Sequence, residues 1–306
     1  MDWQIWNEDC IPGLAGHLDP ESVDLAITSI PFADLFSYSH KPEDIGNNEA
    51  GTDFVGSFFG LHMRFVIEQL MRVMKPGCNV CIHIQQLITY RIQHGYMGRR
   101  DFRGAVIDLF ENGGFEWKGE FVIPKNPQVI AQRQKLHSLL FITGRRNARD
   151  LAPAVNDYVI IVQKPGEPEV PVNALRHEKN PDGWLTSEEW IRDACGVWRD
   201  IRETDVLDGW KGARDDDDEK HVCPLQLEPI RRLIRLYSNP GELVLDPFMG
   251  IGSTAVVALE QGRRAAGFEL KESYHAQALR NVAKAEEARL RDEPPSLLDL
   301  IDLEAM

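Results

Sequence analysis

The chain has 306 residues, 43% of them hydrophobic, which suits one large α/β domain carrying a small insert. No run approaches the ~20 apolar residues of a membrane span, and the acidic start MDWQIWNED is unlike a secretory signal, so membrane-embedded and exported classes are not expected. The net charge of −14, taken as an average, argues against a polyanionic partner. Five cysteines (Cys10, Cys78, Cys81, Cys195 and Cys223) are odd in number and scattered, as in a reduced, cytoplasmic protein. Cys78 and Cys81 have CxxC spacing but no second pair, so core packing is expected there and no metal.

In chain order, residues 1–22 predict a short strand, a turn at Pro12-Gly13 and a polar link. The apolar run 23–29 predicts a buried strand that ends on Ser29-Ile30-Pro31-Phe32. Residues 33–52 are rich in turn formers and read as a loop over the site. Helical spacing of Phe58, Leu61, Phe65, Ile67, Leu70 and Val73 predicts a helix stopped by Lys75-Pro76-Gly77, followed by a strand over 79–84. A link over 85–104 carries four arginines. It leads to a helix over 105–112, closed by Asn112-Gly113-Gly114, and to a strand ended by Pro124. Residues 126–153 break the pattern, and a further strand begins at Asp157.

Charge is uneven along this half. Residues 88–149 hold eleven Lys/Arg against five Asp/Glu, so a local basic surface can bind a polyanion on an otherwise acidic protein. From Gly166 to Val222 the composition turns irregular, with a helix near SEEWIRDA and tryptophans at 184, 190, 198 and 210. Those rings either form the insert's own core or face a target. Asp215 to Asp218 read as a solvated loop, and residues 286–306 as an acidic tail.

The last third holds ELVLDPFMGIGSTAVVALEQGRRAAGFEL. It reads as strand, glycine loop, helix, strand and carboxylate. Gly250 and Gly252 let backbone amides approach a ligand, and Ser253 and Thr254 are expected to accept hydrogen bonds at the helix start. Glu269, 17 residues after Gly252, stands where a carboxylate can bind ribose hydroxyls. Ala255 replaces the third glycine of a dinucleotide fingerprint, which favours an adenosine with a small charged tail over a pyrophosphate.

Together, Ser29-Ile30-Pro31-Phe32 and Asp246-Pro247-Phe248-Met249-Gly250-Ile251-Gly252-Ser253-Thr254 resemble the amino-methyltransferases of DNA. In that family a strand ends in (D/N/S)-P-P-(Y/F/W), and S-adenosylmethionine sits on a D-P-F-x-G-x-G-[ST] loop. The catalytic motif comes first here, as in the circularly permuted β class. CPLQLEPIRRLI (residues 223–234) resembles the helix before the cofactor loop. One position departs from the pattern, Ile30 for the first proline. The resemblance implies a Rossmann-like fold, with a mostly parallel seven-stranded sheet and helices on both faces. It divides the chain into a catalytic half (1–165), an insert that is a candidate target-recognition region (166–222), a cofactor-binding half (223–285) and the tail.

It further implies S-adenosylmethionine as cofactor, held by Asp246, Pro247, Phe248, Gly250, Gly252, Ser253, Thr254 and Glu269, with Pro224, Leu225 and Gln226 walling the methionine end. Duplex DNA is the expected partner, with Arg99, Arg100 and Arg103 near Tyr96 as phosphate contacts. A homodimer is a candidate assembly, and association with the nucleoid of a bacterium or phage host the expected location. Ser29 Oγ and the Ile30 carbonyl can accept the two N–H groups of an exocyclic amine, Pro31 restricts Ile30, and Phe32 offers a face to a flipped base. Serine leans slightly toward cytosine N4 over adenine N6. Cys223 precedes its proline instead of following one, which does not fit cytosine-C5 chemistry. His83 reads as a packed core residue. Action on RNA or a protein amide, or a decayed scaffold with Ile30 as the lesion, are the alternatives.

Overall fold

The computed structural model describes residues 2–32, 45, 54–89, 95–96, 98–133, 136–209 and 224–292. The expected loop over 33–52, apart from Ile45, lies outside them, as do Trp210, the aspartate run at 215–218, Cys223 and the tail from 293 on. In chain order the strands are β1 (Trp3–Trp6), β2 (Val23–Ser29), β3 (Met74–Gln85), β4 (Leu87–Thr89), β5 (Gly98–Arg100), β6 (Glu116–Ile123), β7 (Asp157–Gln163), β8 (Leu243–Asp246) and β9 (Arg264–Phe268). The helices are α1 (Cys10–His17), α2 (Phe58–Val73), α3 (Phe102–Asn112), α4 (Pro127–Arg133), α5 (Phe141–Arg146), α6 (Ser187–Asp193), α7 (Leu227–Tyr237), α8 (Ser253–Glu260) and α9 (Glu272–Asp292).

Seven strands make one sheet in the order β1-β9-β8-β2-β3-β7-β6. All are parallel except β7, which runs against both of its neighbours. Near-continuous apolar runs such as Val23–Ser29 belong in strands covered on both faces. One face packs on α1, α2 and α3 through Leu14, Phe59, Met63, Leu70, Phe102 and Phe110. The other packs on α7, α8 and α9 through Ile230, Leu233, Val257, Leu259, Ala278 and Val282.

The site follows from the order of the strands. From β8 the chain moves outward through α8 to β9, and from β2 it moves the other way through α2 to β3. β2 and β8 lie side by side, with Leu25 opposite Val244 and Ala26 opposite Leu245. A crevice opens at the carboxyl ends of the two strands where a doubly wound sheet reverses direction. Asp246 and Ser29, far apart in sequence, both end on it.

Several elements differ from expectation. Pro12-Gly13 lies inside α1 and not in a turn. Asp9 caps that helix by accepting from the Ile11 amide at 2.9 Å, and a proline in the first turn has no helical bond to lose. β3 begins directly after α2, at Met74, so Lys75-Pro76-Gly77 belong to the strand. The link 85–104 contains the β4–β5 hairpin, and α3 starts early, at Phe102, because Asp101 accepts from the Gly104 amide. Residues 126–153 contain α4, α5 and two short 3-10 turns. α9 continues to Asp292, into the stretch expected to be tail.

The described part of the insert lies along α7 and the edge strand β6. Trp198 is buried and stacked on Phe121, with ring centroids 4.3 Å apart, and Val197 bridges to Val122. Trp184 Nε1 donates to the Arg235 carbonyl at 2.9 Å, while Trp190 is exposed. Asp193, 0% exposed, is the electrostatic centre of this contact. Arg235 Nη2 lies 2.7 Å from one oxygen, Arg192 Nε 2.8 Å and Arg232 Nε 3.5 Å from the other. Removing this buried carboxylate takes the short partner from Arg192 and Arg235, leaving Arg235 only Glu228 at 3.8 Å among the described residues, while Arg232 keeps Asp200 and Glu228. Asp193→Ala should therefore destabilise the protein by about 3–5 kcal/mol in urea unfolding monitored by tryptophan fluorescence. A loss under about 1 kcal/mol would show that the arginines are satisfied by solvent.

Candidate active site

The cofactor-type half is built on Asp246, the last residue of β8. Its Oδ2 accepts from Thr254 Oγ1 at 2.7 Å and its Oδ1 from the Phe248 amide at 3.0 Å. The carboxylate thus ties the strand end, the loop and the first turn of α8 together. Ser253 and Thr254 do not cap that helix as expected. The N-cap is Gly252, with φ 93° and no side-chain cap bond, and the Thr254 hydroxyl turns back to Asp246. An L side chain at Gly252 would be strained, and its Cβ would also meet Ala278 and Val282 of α9 at 3.3–3.4 Å. Gly250 also has positive φ (57°), and a Cβ there would meet nothing within 4 Å among the described residues.

Glu269 follows β9 directly. Its Oε2 accepts from the Gly250 amide and its Oε1 from the Lys271 amide, both at 2.8 Å. Its own amide donates to the Trp6 carbonyl at 3.0 Å, and Asn7 Nδ2 donates to its carbonyl at 2.7 Å. Pro247 is buried, and Phe248 leans on the core beneath. Pro224, Leu225 and Gln226 lead into α7, whose entry is pinned by Leu227 N donating to the Asp205 carbonyl at 2.8 Å. The buried Gln226 side chain has no hydrogen-bond partner for its oxygen among the described residues.

At the end of β2, Ser29 is half-buried and Ile30 is packed into the core. Burial of that side chain gives the backbone an anchor that a proline ring would otherwise supply by restricting φ. Pro31 and Phe32 are partly exposed, and Phe32 meets Phe102 edge-on at 6.3 Å. Phe102 in turn packs against Phe54 and Phe59.

Behind Ser29 runs a polar chain that the sequence did not reveal. Ser29 Oγ lies 3.3 Å from His83 Nδ1, its register partner on β3. His83 Nε2 lies 3.2 Å from Asp157 Oδ2, too poorly aligned for a full hydrogen bond. Asp157 also accepts from Gln85 Nε2 at 2.9 Å and faces Lys125 Nζ at 2.5 Å. Burial pushes the Asp157 carboxyl up, but His83 and Lys125 outweigh it and hold it below the usual carboxylate range. The strand was expected to end at residue 84, but β3 runs to Gln85, which places Gln85 two residues from His83 on one strand. The pairing of β3 with β7 that delivers Asp157 was not legible.

Each of the three arginines expected at phosphates has a partner within the fold. Arg100 is 7% exposed with its guanidinium over the Phe54 ring. Arg103 pairs with Glu120 and lies over Trp117. Arg99 donates to the Pro153 carbonyl and is partly desolvated, which lowers its pKa. Arg99 thus ties β5 to the segment before β7, Arg100 ties it to Phe54 ahead of α2, and Arg103 ties α3 to β6. Positive charge in the sequence does not reveal whether its partner is internal.

The family model for DNA methylase, of the N6/N4 type, matches residues 23–280. The protein belongs to this DNA methylase family. It is 24% identical to the type II methyltransferase M.BglII of Bacillus subtilis over 89% of this chain and 66% of that one. It is 29% identical to M.MthZI of Methanothermobacter thermautotrophicus over 84% and 70%. A shorter match, 45% identical over 86 residues, joins it to YubD of Escherichia coli K12 and covers 28% of this chain and 35% of YubD. The chain thus spans about a third of YubD and just under two thirds of M.BglII. Among solved structures, TTHA0409 of Thermus thermophilus in complex with S-adenosyl-L-methionine superposes with a TM-score of 0.64 at 22% identity, over 92% of this chain and 93% of that one. The cytosine-N4-specific PvuII DNA methyltransferase gives 0.61 at 18%, over 96% and 94%. These likenesses carry the α/β methyltransferase fold. Among the described residues no helix is long and apolar enough to cross a membrane.

Burial raises the Asp246 carboxyl to about 6, opposed by the hydrogen bonds from Thr254 and the Phe248 amide. Between the ordinary value of 3.8 and about 6 the folded state holds a proton that the unfolded state has lost. The stability this group contributes is therefore full below pH ~4 and is lost as pH rises through about 6. Melting curves of wild type and Asp246→Asn should diverge in favour of wild type as pH falls from 7 to 4, by up to ~3 kcal/mol. A difference that does not vary with pH would mean the carboxyl is ionised throughout.

Proposed function

We propose that the protein transfers a methyl group from S-adenosylmethionine to the exocyclic amino group of a base flipped out of duplex DNA. What carries this reading is that strand ends β2 and β8 adjoin, so Ser29-Ile30-Pro31-Phe32 and the Asp246–Thr254 loop face one crevice. The residues present fit the cofactor. Glu269 is held by two amides with its carboxylate at the loop, and among the described residues nothing covers the Gly250 position and nothing bonds the Gln226 oxygen at the α7 entry.

Glu269 binds the ribose hydroxyls, the 250–254 backbone and helix start take the charged tail, and Pro224, Leu225 and Gln226 close the methionine end. When bound, S-adenosylmethionine supplies an electrophilic methyl on a sulfonium. An exocyclic amine conjugated to a base is a poor nucleophile. Ser29 Oγ and the Ile30 carbonyl accept its two N–H groups and hold the nitrogen out of the ring plane, so its lone pair is released toward the methyl. Acceptors fixed in place before the reaction need no reorganisation during it. Phe32, braced by Phe102, stacks on the base. His83 behind Ser29 orients the hydroxyl, and its Nδ1, 3.3 Å from Oγ, takes up the departing proton through it. A serine at this position leans the target toward cytosine N4.

Transfer of labelled methyl to unmethylated plasmid DNA, followed by nucleoside analysis, tests this. N4-methylcytosine or N6-methyladenine is expected. Ser29→Ala should lower the rate by ~10²-fold, as for loss of one preorganised hydrogen-bond partner, with cofactor affinity unchanged by calorimetry. Glu269→Ala should weaken cofactor binding instead. No methylated base with wild type, but methylation by Ile30→Pro, would favour a decayed scaffold.

A further inference from the structure

Arg100 is buried, and Arg99 and Arg103 each have a partner within the fold, so the more exposed arginines of the basic stretch lie further along it. The segment between β6 and β7 holds five Lys/Arg over residues 127–151 against one Asp. It leaves β6 at the carboxyl edge of the sheet, the same edge as Ser29, and returns at Asp157. Both of its roots touch the polar chain behind Ser29, since Lys125 and Asp157 are paired there. Its base is fixed. Ile130, Leu136 and Val155 bury a small core with Ile88 of β4, Ala152 N donates to the Ser138 carbonyl at 3.2 Å, and Thr143 Oγ1 donates to the His137 carbonyl at 2.6 Å.

The tip is different. Phe141 and Ile142 open α5 and are each 70% exposed, and Leu151, which lies against Gly144 of the same helix, is also exposed. Arg145 and Arg146 follow one turn later on the same faces, and Arg149 lies in the next turn. All three arginines are exposed, and Arg146 lies 3.7 Å from Asp150. An uncovered aromatic–aliphatic pair is costly to leave in water, and three guanidinium groups beside it select an anionic partner that also offers apolar surface. Stacked base pairs between phosphate rails have that combination. A second copy of the chain docking through the same patch would bring two arginine clusters together, which disfavours it.

We propose that α5 is a DNA-inserting wedge: Phe141 and Ile142 enter the base stack at the place the target base leaves, and Arg145, Arg146 and Arg149 grip the flanking phosphates. The proposal rests on the DNA reading above and adds to it the element that opens the duplex. Its rigid base joins the wedge to the catalytic strand ends, so insertion and base capture occur on one edge of the sheet.

The test has two arms, so that failure of the wedge and failure of the enzyme reading separate. In the first, anisotropy of a labelled ~30-base-pair mixed-sequence duplex is followed at graded salt. The triple variant Arg145→Ala, Arg146→Ala, Arg149→Ala should bind at least tenfold more weakly and reduce the log–log salt slope by roughly two to three. Phe141→Ala with Ile142→Ala should keep the slope. In the second, the methylation rate is measured on a duplex carrying the sequence that mapping of methylated plasmid returns. The double alanine variant should be at least tenfold slower on the paired duplex and less than threefold slower when the target's partner nucleotide is abasic, because the base is then already released. Phe141→Leu should retain most of the rate. The wedge is overturned by an unchanged salt slope in the arginine variant, by an equal defect on paired and abasic substrates, or by sedimentation showing a wild-type dimer that the double variant dissociates. Absence of any methylation with intact salt-dependent binding would sink the enzyme reading and leave the arginine grip standing.

Discussion

One buried contact fixes the geometry of the crevice, the hydrogen bond from Thr254 to Asp246 at 2.7 Å. It joins the end of a central strand to the first turn of the helix that follows. The Thr254 hydroxyl also lies 3.4 Å from the Ile27 carbonyl of β2, so the catalytic strand abuts the same point. Desolvation makes a carboxylate here unfavourable, and the protein answers with hydrogen-bond donors from the loop and the helix. Glu269 stands at the far side of the space above the loop, and its own position is set by backbone amides. The two carboxylates have distinct roles. Asp246 faces inward and shapes the loop, while Glu269 lies beside Gly250.

Much of this was readable in the residues. The strand, glycine loop, helix, strand and carboxylate of the last third fell where their spacing put them, because parallel-strand apolar runs and glycine turns are local signals. The seven-stranded, mostly parallel sheet followed from the resemblance, and the sheet order agrees with it. What escaped was of two kinds. Pro12-Gly13 and the Ser253-Thr254 pair were read by local habit, but Asp9 in one case and Asp246 in the other offered the chain a better hydrogen-bonding arrangement. His83, Asp157, Lys125 and the fate of Arg100 and Arg103 depend on which strand lies next to which. Nothing in the sequence around Asp157 announces that a histidine from β3 will meet it across an antiparallel pair.

The charge pattern carries a related lesson. An acidic chain with a basic stretch suggests a surface, yet half-buried arginines in this family member hold aromatic rings and strand ends together. Arg232 is almost fully buried, lies over the Trp198 ring and pairs with Asp200 and Glu228. Such groups are structural because their partners are close and solvent is not. On α5, by contrast, the fold leaves the guanidinium groups of Arg145 and Arg146 outside.

The edge pairing of β1 with β9 has a consequence for how the molecule is made. Trp3 to Trp6 lie opposite Ala265 to Phe268, and β2 has β8 as one of its two neighbours. Strands synthesised first therefore wait for strands synthesised near the end before their ladders can close. On the ribosome, β2 can pair with β3 while its other edge stays open until residue 246 emerges. β1 has no sheet neighbour at all until β9 appears. The permuted order thus stores long-range pairing as a delay. It makes completion of the sheet a late, slow step in the birth of the protein, with an exposed central edge that a holding chaperone or rapid release would have to protect.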